Sequence, residues 1–233
     1  MTDTVDGVPS RIEKGSPMRR DVRRQFQRNF RLQAVQSYLY LSIGMGIVAG
    51  ALPILLVIFG GYDEHFSISH YYHSTDNARN ILVGSLWATG TFLFLFQGLS
   101  DRENWILNIA GVAAVSVAMN PVAEKQCSGG DFGVHQASAI VFFACLAIVA
   151  VVFSRGRIGN ILALSKKRFF TTAYTATGVA MIGMPVAIAA IQVLSRATCE
   201  SHWIFWIESF GIWSFAAYWF VKTYEYRLLL RVG

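Results

Sequence analysis

Charge is what this chain has least of. Only 15% of its 233 residues are Asp, Glu, Lys or Arg, while 54% are hydrophobic, and soluble domains carry far more charge. Acidic residues are the scarcer sign, 14 against 20 basic, for a formal net charge of +6. Cysteine is scarce as well: three residues cannot build the bridged framework of a small secreted domain. Nowhere do segments of about 10 residues alternate polar and apolar positions, which argues against a transmembrane β-barrel. The first 36 residues are Arg-rich without an apolar core, so they do not read as a cleavable signal peptide.

What the chain has in quantity is long apolar runs. The segment 38–59 is 22 residues without a charge, enough to cross the hydrocarbon core as a helix. Comparable runs occur at 81–98, 105–123, 135–154, 169–194 and 202–221. The expectation is an all-α polytopic membrane protein, a six-helix transmembrane bundle over 37–222. A basic arm (1–36) precedes the bundle and a short tail (223–233) comes after it. Arg19, Arg20, Arg23, Arg24, Arg28 and Arg31 recur at helical spacing, so the arm is either a helix on the membrane surface or a disordered segment that sets topology.

Placed on six spans, 17 of the 20 Lys and Arg residues fall on one side, and only Arg79, Lys125 and Arg196 on the other. That asymmetry puts both termini in the cytoplasm. It accounts for the basic surplus by orientation and by anionic headgroups, so lipids are the expected partners and nucleic acid is not. A second copy or another protein as partner stays open, as does the membrane itself, bacterial inner membrane or a eukaryotic endomembrane or plasma membrane. Gly46 and Gly50 form a GxxxG suited to close helix contact. Trp105, Trp203 and Trp219 fall where an aromatic belt would lie. Cys127 and Cys199 both fall in outer loops and are a disulfide candidate, whereas Cys145 reads as a small core residue.

All five histidines lie on the side away from the basic residues. The first outer loop, 61–80, is long for a connection between neighbouring helices and carries Asp63, His65, Ser69, His70, His73, Asp76 and Arg79. His70 and His73 are three apart and share a face on a helical turn. A third ligand from His135, His202 or a carboxylate such as Asp131 would complete a site for zinc or another divalent ion. Nothing matches the HExxH helix of zinc proteases. Histidines hydrogen-bonded at a wet interface, or a proton-linked switch, fit the same residues. Glu208 lies roughly 9 Å below His202 at 1.5 Å per residue, where an ionisable group is costly and turns to the interior. It reads as a general base, a metal ligand, the partner of a cation such as Arg79, or a structural hydrogen-bonder to Asn108, Asn120 or Ser138. Gly211, one turn further along, leaves room for another helix. Ser138 lies one turn from His135 and pairs a hydroxyl with an imidazole, without a GxSxG motif. Asn108 and Asn120 are expected to point inward.

These residues also carry a resemblance. Ile68-Ser69, Asn108 with Gly111, the HQASA of 135–139 and Glu208 resemble positions of the DRAM-type six-span membrane proteins, over most of 38–221. That family includes autophagy modulators and a GPI-anchor remodelling factor. Its first loop typically reads Ile-Ser-Asp and then Thr-Gly, whereas here Ser69 is succeeded by His70-Tyr71-Tyr72-His73. The chain is similar as well to bacterial multi-pass proteins with SxxYYH (in part at 69–73) and WxExxGIxxFAAYW (206–219) patterns. Two functional expectations result. One is metal-assisted hydrolysis or remodelling of a lipid at the outer leaflet, with His70, His73 and His135 holding the ion and Glu208 acting on the attacking water. The other is a non-enzymatic protein that binds lipid or a partner, senses pH, or transports.

Overall fold

The computed structural model describes residues 17–62, 66–98, 100–122, 133–155, 164–194 and 202–232. Asp63, His65, Cys127, Asp131 and Cys199 lie outside them, so the disulfide candidate and two of the outer-loop acids have no structural account. Among the described residues the chain is helical and has no strand. Two units are distinguished, Met1–Ser37 and Tyr38–Gly233. The described part of the first, from residue 17 on, is helical. The second begins within the first helix and contains all the others.

Among the described residues six α-helices make up the framework: α1 (Pro17–Gly60), α2 (Asp76–Leu95), α3 (Asp101–Met119), α4 (Val134–Ile148), α5 (Leu164–Leu194) and α6 (Trp203–Val232). A 3₁₀ turn, Ile68–His73, lies between α1 and α2, and a π-helical turn, Val149–Ser154, prolongs α4. Four segments are long and apolar enough to cross a membrane: Gln33–Gly60, Val134–Ser154, Lys166–Ala190 and Trp203–Leu228. The protein is therefore membrane-embedded. The helices α2 and α3 are more polar. The first turn of α2 holds Asp76, Asn77 and Arg79, and that of α3 holds Asp101, Arg102 and Glu103.

Local chemistry sets the helix ends. The Thr75 hydroxyl accepts from the Ala78 amide at 3.1 Å to cap α2, and the Ser100 hydroxyl accepts from the Glu103 amide at 3.2 Å to cap α3, each satisfying an amide the helix leaves orphaned. Gln136 Oε1 accepts from the Gly133 amide at 3.1 Å at the start of α4. Gly61, at φ +80°, closes α1 with a bond from its amide to the Val57 carbonyl, a left-handed cap that glycine adopts without strain.

Small residues set the spacing between helices. The α2–α3 crossing is at Gly90 and Gly111, where a Cβ on either residue would come within 2.7–2.8 Å of the other's carbonyl oxygen. The GxxxG of α1 meets α6, with Gly46 under Phe220 and Gly50 facing Ala216. Gly211 likewise admits Met184 of α5. Trp105 and Trp203 are exposed as belt residues would be, but Trp219 is fully buried. It packs edge-on against Phe96 and Phe215, so its place at the end of an apolar run reflects core packing.

Candidate functional site

The segment leading into the 3₁₀ turn is pinned to the first turns of α6. The Phe205 amide donates to the Phe66 carbonyl at 2.9 Å. One turn further along, Glu208 Oε2 accepts from the Ile68 amide at 2.6 Å and from the Ser67 hydroxyl at 3.0 Å. The Ser67 hydroxyl oxygen in turn accepts from the Ser69 amide at 3.1 Å, capping the 3₁₀ turn. Apolar packing of Leu52, Leu56, Ile68, Tyr71, Ala78, Leu82 and Phe205 seals the side of the turn facing α1 and α2. The Tyr71 phenol is buried and donates to the Gly61 carbonyl at 2.6 Å. Burial, with Tyr62 adding to it, pushes its pKa up to about 12, so it stays a neutral donor.

The turn therefore holds Ser69 in a fixed place, and the start of α4 supplies its partner. Ser69 Oγ lies 3.0 Å from His135 Nε2, and His135 Nδ1 lies 2.8 Å from the backbone carbonyl of Asn120. A carbonyl only accepts, so Nδ1 carries the proton. In the neutral ring Nε2 is then the acceptor, and the Ser69 hydroxyl donates to it. Asn120 ends α3, where carbonyls no longer needed by the helix are free for such a bond.

Ser69, His135 and Glu208 all line one cavity of about 400 Å³ between the helices, within the size range of small-molecule sites. Ser67, His70, Tyr72, Ser85, Thr89 and Gln136 are its other polar or ionisable lining residues. Its remaining walls are apolar, with Val48 and Leu52 of α1, Phe142 and Phe143 of α4, Met184 and Ile188 of α5, and Ile212 and Phe215 of α6 among them. The result is an apolar chamber with a carboxylate and a serine–histidine pair on its wall.

Of the other sequence candidates, His70 also lines the cavity, whereas His73, Arg79, Ser138 and His202 have partners elsewhere. His73 Nε2 bonds to the Val122 carbonyl at 2.7 Å, so that nitrogen carries a proton. The His70 and His73 rings are 6.5 Å apart, centre to centre. Among the described residues no three His, Cys, Asp or Glu side chains gather as a metal-ligand group. Arg79 pairs with Asp76 and lies over the Tyr72 ring, so Glu208 has backbone and hydroxyl donors where a cation was one expectation. Ser138 pairs with Ser116 at 2.8 Å, leaving Ser69 as the serine that meets His135. His202 stacks on Tyr62 at 4.4 Å and bonds to its carbonyl. Asn108 is half-buried in α3.

A second polar cluster lies near the other end of α6 and was not expected. Lys222, fully buried, is 3.0 Å from Glu225 Oε2, which also accepts from the Tyr174 hydroxyl at 2.5 Å. Ser154 of the π-helical turn bonds to the Tyr218 hydroxyl at 3.0 Å and accepts from Lys222 Nζ at 3.4 Å. From the sequence, Lys222 is expected only as one more basic residue after the last apolar run. Its i,i+3 spacing to Glu225 is the available sign of a pair.

Comparison with protein-family models, with curated proteins and with solved structures finds no match for this chain.

Proposed function

We propose that the protein is a six-span membrane protein that binds a lipid, with the acyl part in the cavity and the polar part at Ser69, His135 and Glu208. The observation that carries this reading is the cavity itself: apolar walls between membrane-embedded helices, with its few polar groups on the segment before α2 and on α2, α4 and α6. Ile140 of α4 and Ala189 of α5 line it and are exposed on the outside of adjoining helices, a route for a chain to enter sideways from the bilayer. In this reading α2 and α3 also span, both termini are cytoplasmic as the basic residues require, and the cavity belongs to the outer half of the membrane. The resemblance to the DRAM-type family belongs with the proposal too, because six of the residues that carry it, Ile68, Ser69, His135, Gln136, Ala139 and Glu208, line the cavity.

The test is lipid extraction from the full-length protein purified in a mild detergent, with the extract identified by mass spectrometry. One lipid class enriched over the host membrane, and lost in Ala139→Trp, supports the proposal. A lipid profile matching the bulk membrane, unchanged by that substitution, refutes it. Metal-assisted hydrolysis is kept as the alternative mechanism, separated by the metal content of the purified protein.

A further inference from the structure

We propose that Ser69 is an acyl-accepting nucleophile, with His135 as its general base and the Asn120 carbonyl as the group that orients the imidazole. The inference rests on the lipid-cavity reading and names the substrate class: a carboxylic ester of an acyl lipid. Three features of the geometry support it together. The hydroxyl and the ring nitrogen are at hydrogen-bond distance, 3.0 Å. The carbonyl at 2.8 Å from Nδ1 selects the tautomer that leaves Nε2 able to take the serine proton, as an oriented base must. Both side chains line a chamber whose walls are mostly apolar, where the ester of an acyl chain would lie against them.

The step balances without a redox partner. Ser69 Oγ bonds to the ester carbonyl carbon while its proton passes to His135 Nε2. The bond from that carbon to the alcohol oxygen breaks, and Nε2–H protonates the departing alkoxide. Water then attacks the acyl-serine and gives its proton to Nε2. The Ser69 Oγ–acyl bond breaks, and Ser69 recovers the proton as the fatty acid leaves. Gln136 also lines the cavity, and with its Oε1 engaged by the Gly133 amide its amide N–H groups are the donors assigned here to the oxyanion. Glu208 acts as a positioning residue, since it holds the amide and hydroxyl that precede Ser69.

The experiment treats the full-length protein, in lipid nanodiscs, with a long-chain alkyl fluorophosphonate, which forms an oxygen–phosphorus bond to an activated serine as fluoride leaves. Peptide mass mapping should find one adduct per chain, on Ser69. Ser69→Ala should abolish it, and His135→Ala should slow it by at least about 100-fold, the usual scale of general-base assistance. Ser138→Ala should leave the rate unchanged. If the His135 variant fails to fold, the mapped position in the unaltered protein still decides the matter. No adduct, or an adduct elsewhere, overturns the nucleophile. If lipid still co-purifies in that case, the binding proposal survives alone; if lipid is absent as well, both fall.

Discussion

The carboxylate of Glu208 accepts the Ile68 amide at 2.6 Å, tying together residues 140 apart in the chain. That bond fixes the 3₁₀ turn onto α6 and so decides where Ser69 stands. Glu208→Ala should lower unfolding free energy by about 1.5–3 kcal/mol, the scale of hydrogen bonds to a charged group. Glu208→Gln, which retains an oxygen acceptor, should lose less. Thermal unfolding in one detergent checks the order. Equal stability of all three proteins would mean that the turn is held by its apolar contacts.

The α2–α3 crossing gives a cleaner packing test. Gly111→Ala places a Cβ about 2.7 Å from the Gly90 carbonyl oxygen, so the helices must separate, at a cost of about 1–3 kcal/mol. Gly84→Ala, on the same α2 helix as Gly90 but with no heavy atom near its Cβ, should be neutral or stabilising by up to about 1 kcal/mol, the helix-propensity gain of Ala over Gly. Comparing the melting curves of the two variants makes the measurement independent of the detergent.

Lys222 and Glu225 are a buried pair, and removing one charge strands the other. Lys222→Met alone should cost about 3–5 kcal/mol. The double change Lys222→Met with Glu225→Gln should recover most of that loss, because it leaves no uncompensated charge and keeps an acceptor for Tyr174. A double variant as unstable as the sum of the singles would show that the network is not an electrostatic unit.

Metal content separates the two mechanisms. Because no three His, Cys, Asp or Glu side chains gather among the described residues, elemental analysis of the purified protein should find well under one zinc or similar ion per chain. One ion per chain, lost in the His70→Ala/His73→Ala double variant, would instead favour the metal-assisted mechanism and mean that the two rings approach more closely than the 6.5 Å between their centres here.

The site was legible only in pieces. Glu208 stood out because an ionisable group within an apolar span needs a reason to be there, whereas His135 and Ser69 were visible only as polar residues at the outer ends of the spans. Their partners did not stand out, because each partner is a long-range choice. The nearest serine along the helix from His135 is Ser138, one turn away, and sequence spacing favours it. Packing gives Ser138 to Ser116 on α3 and brings Ser69 to His135 from 66 residues away. Glu208 likewise takes backbone and hydroxyl donors from the loop in place of Asn108, Asn120 or Arg79. Its two donors, the Ile68 amide and the Ser67 hydroxyl, have no signature that distinguishes them from any other amide or serine. The burial of Trp219 and Lys222 was not legible for a related reason: hydropathy marks where an apolar run ends, and α6 continues past that point with polar groups paired inside the bundle.

The sequence by itself determined that this is a helical, membrane-embedded chain, because apolar run length and helix-end chemistry are local properties that need no partner. Only the tertiary structure decided which side chains meet. Hydrogen bonding and close packing act over a few ångströms between segments far apart in the chain, and no spacing along one helix encodes them.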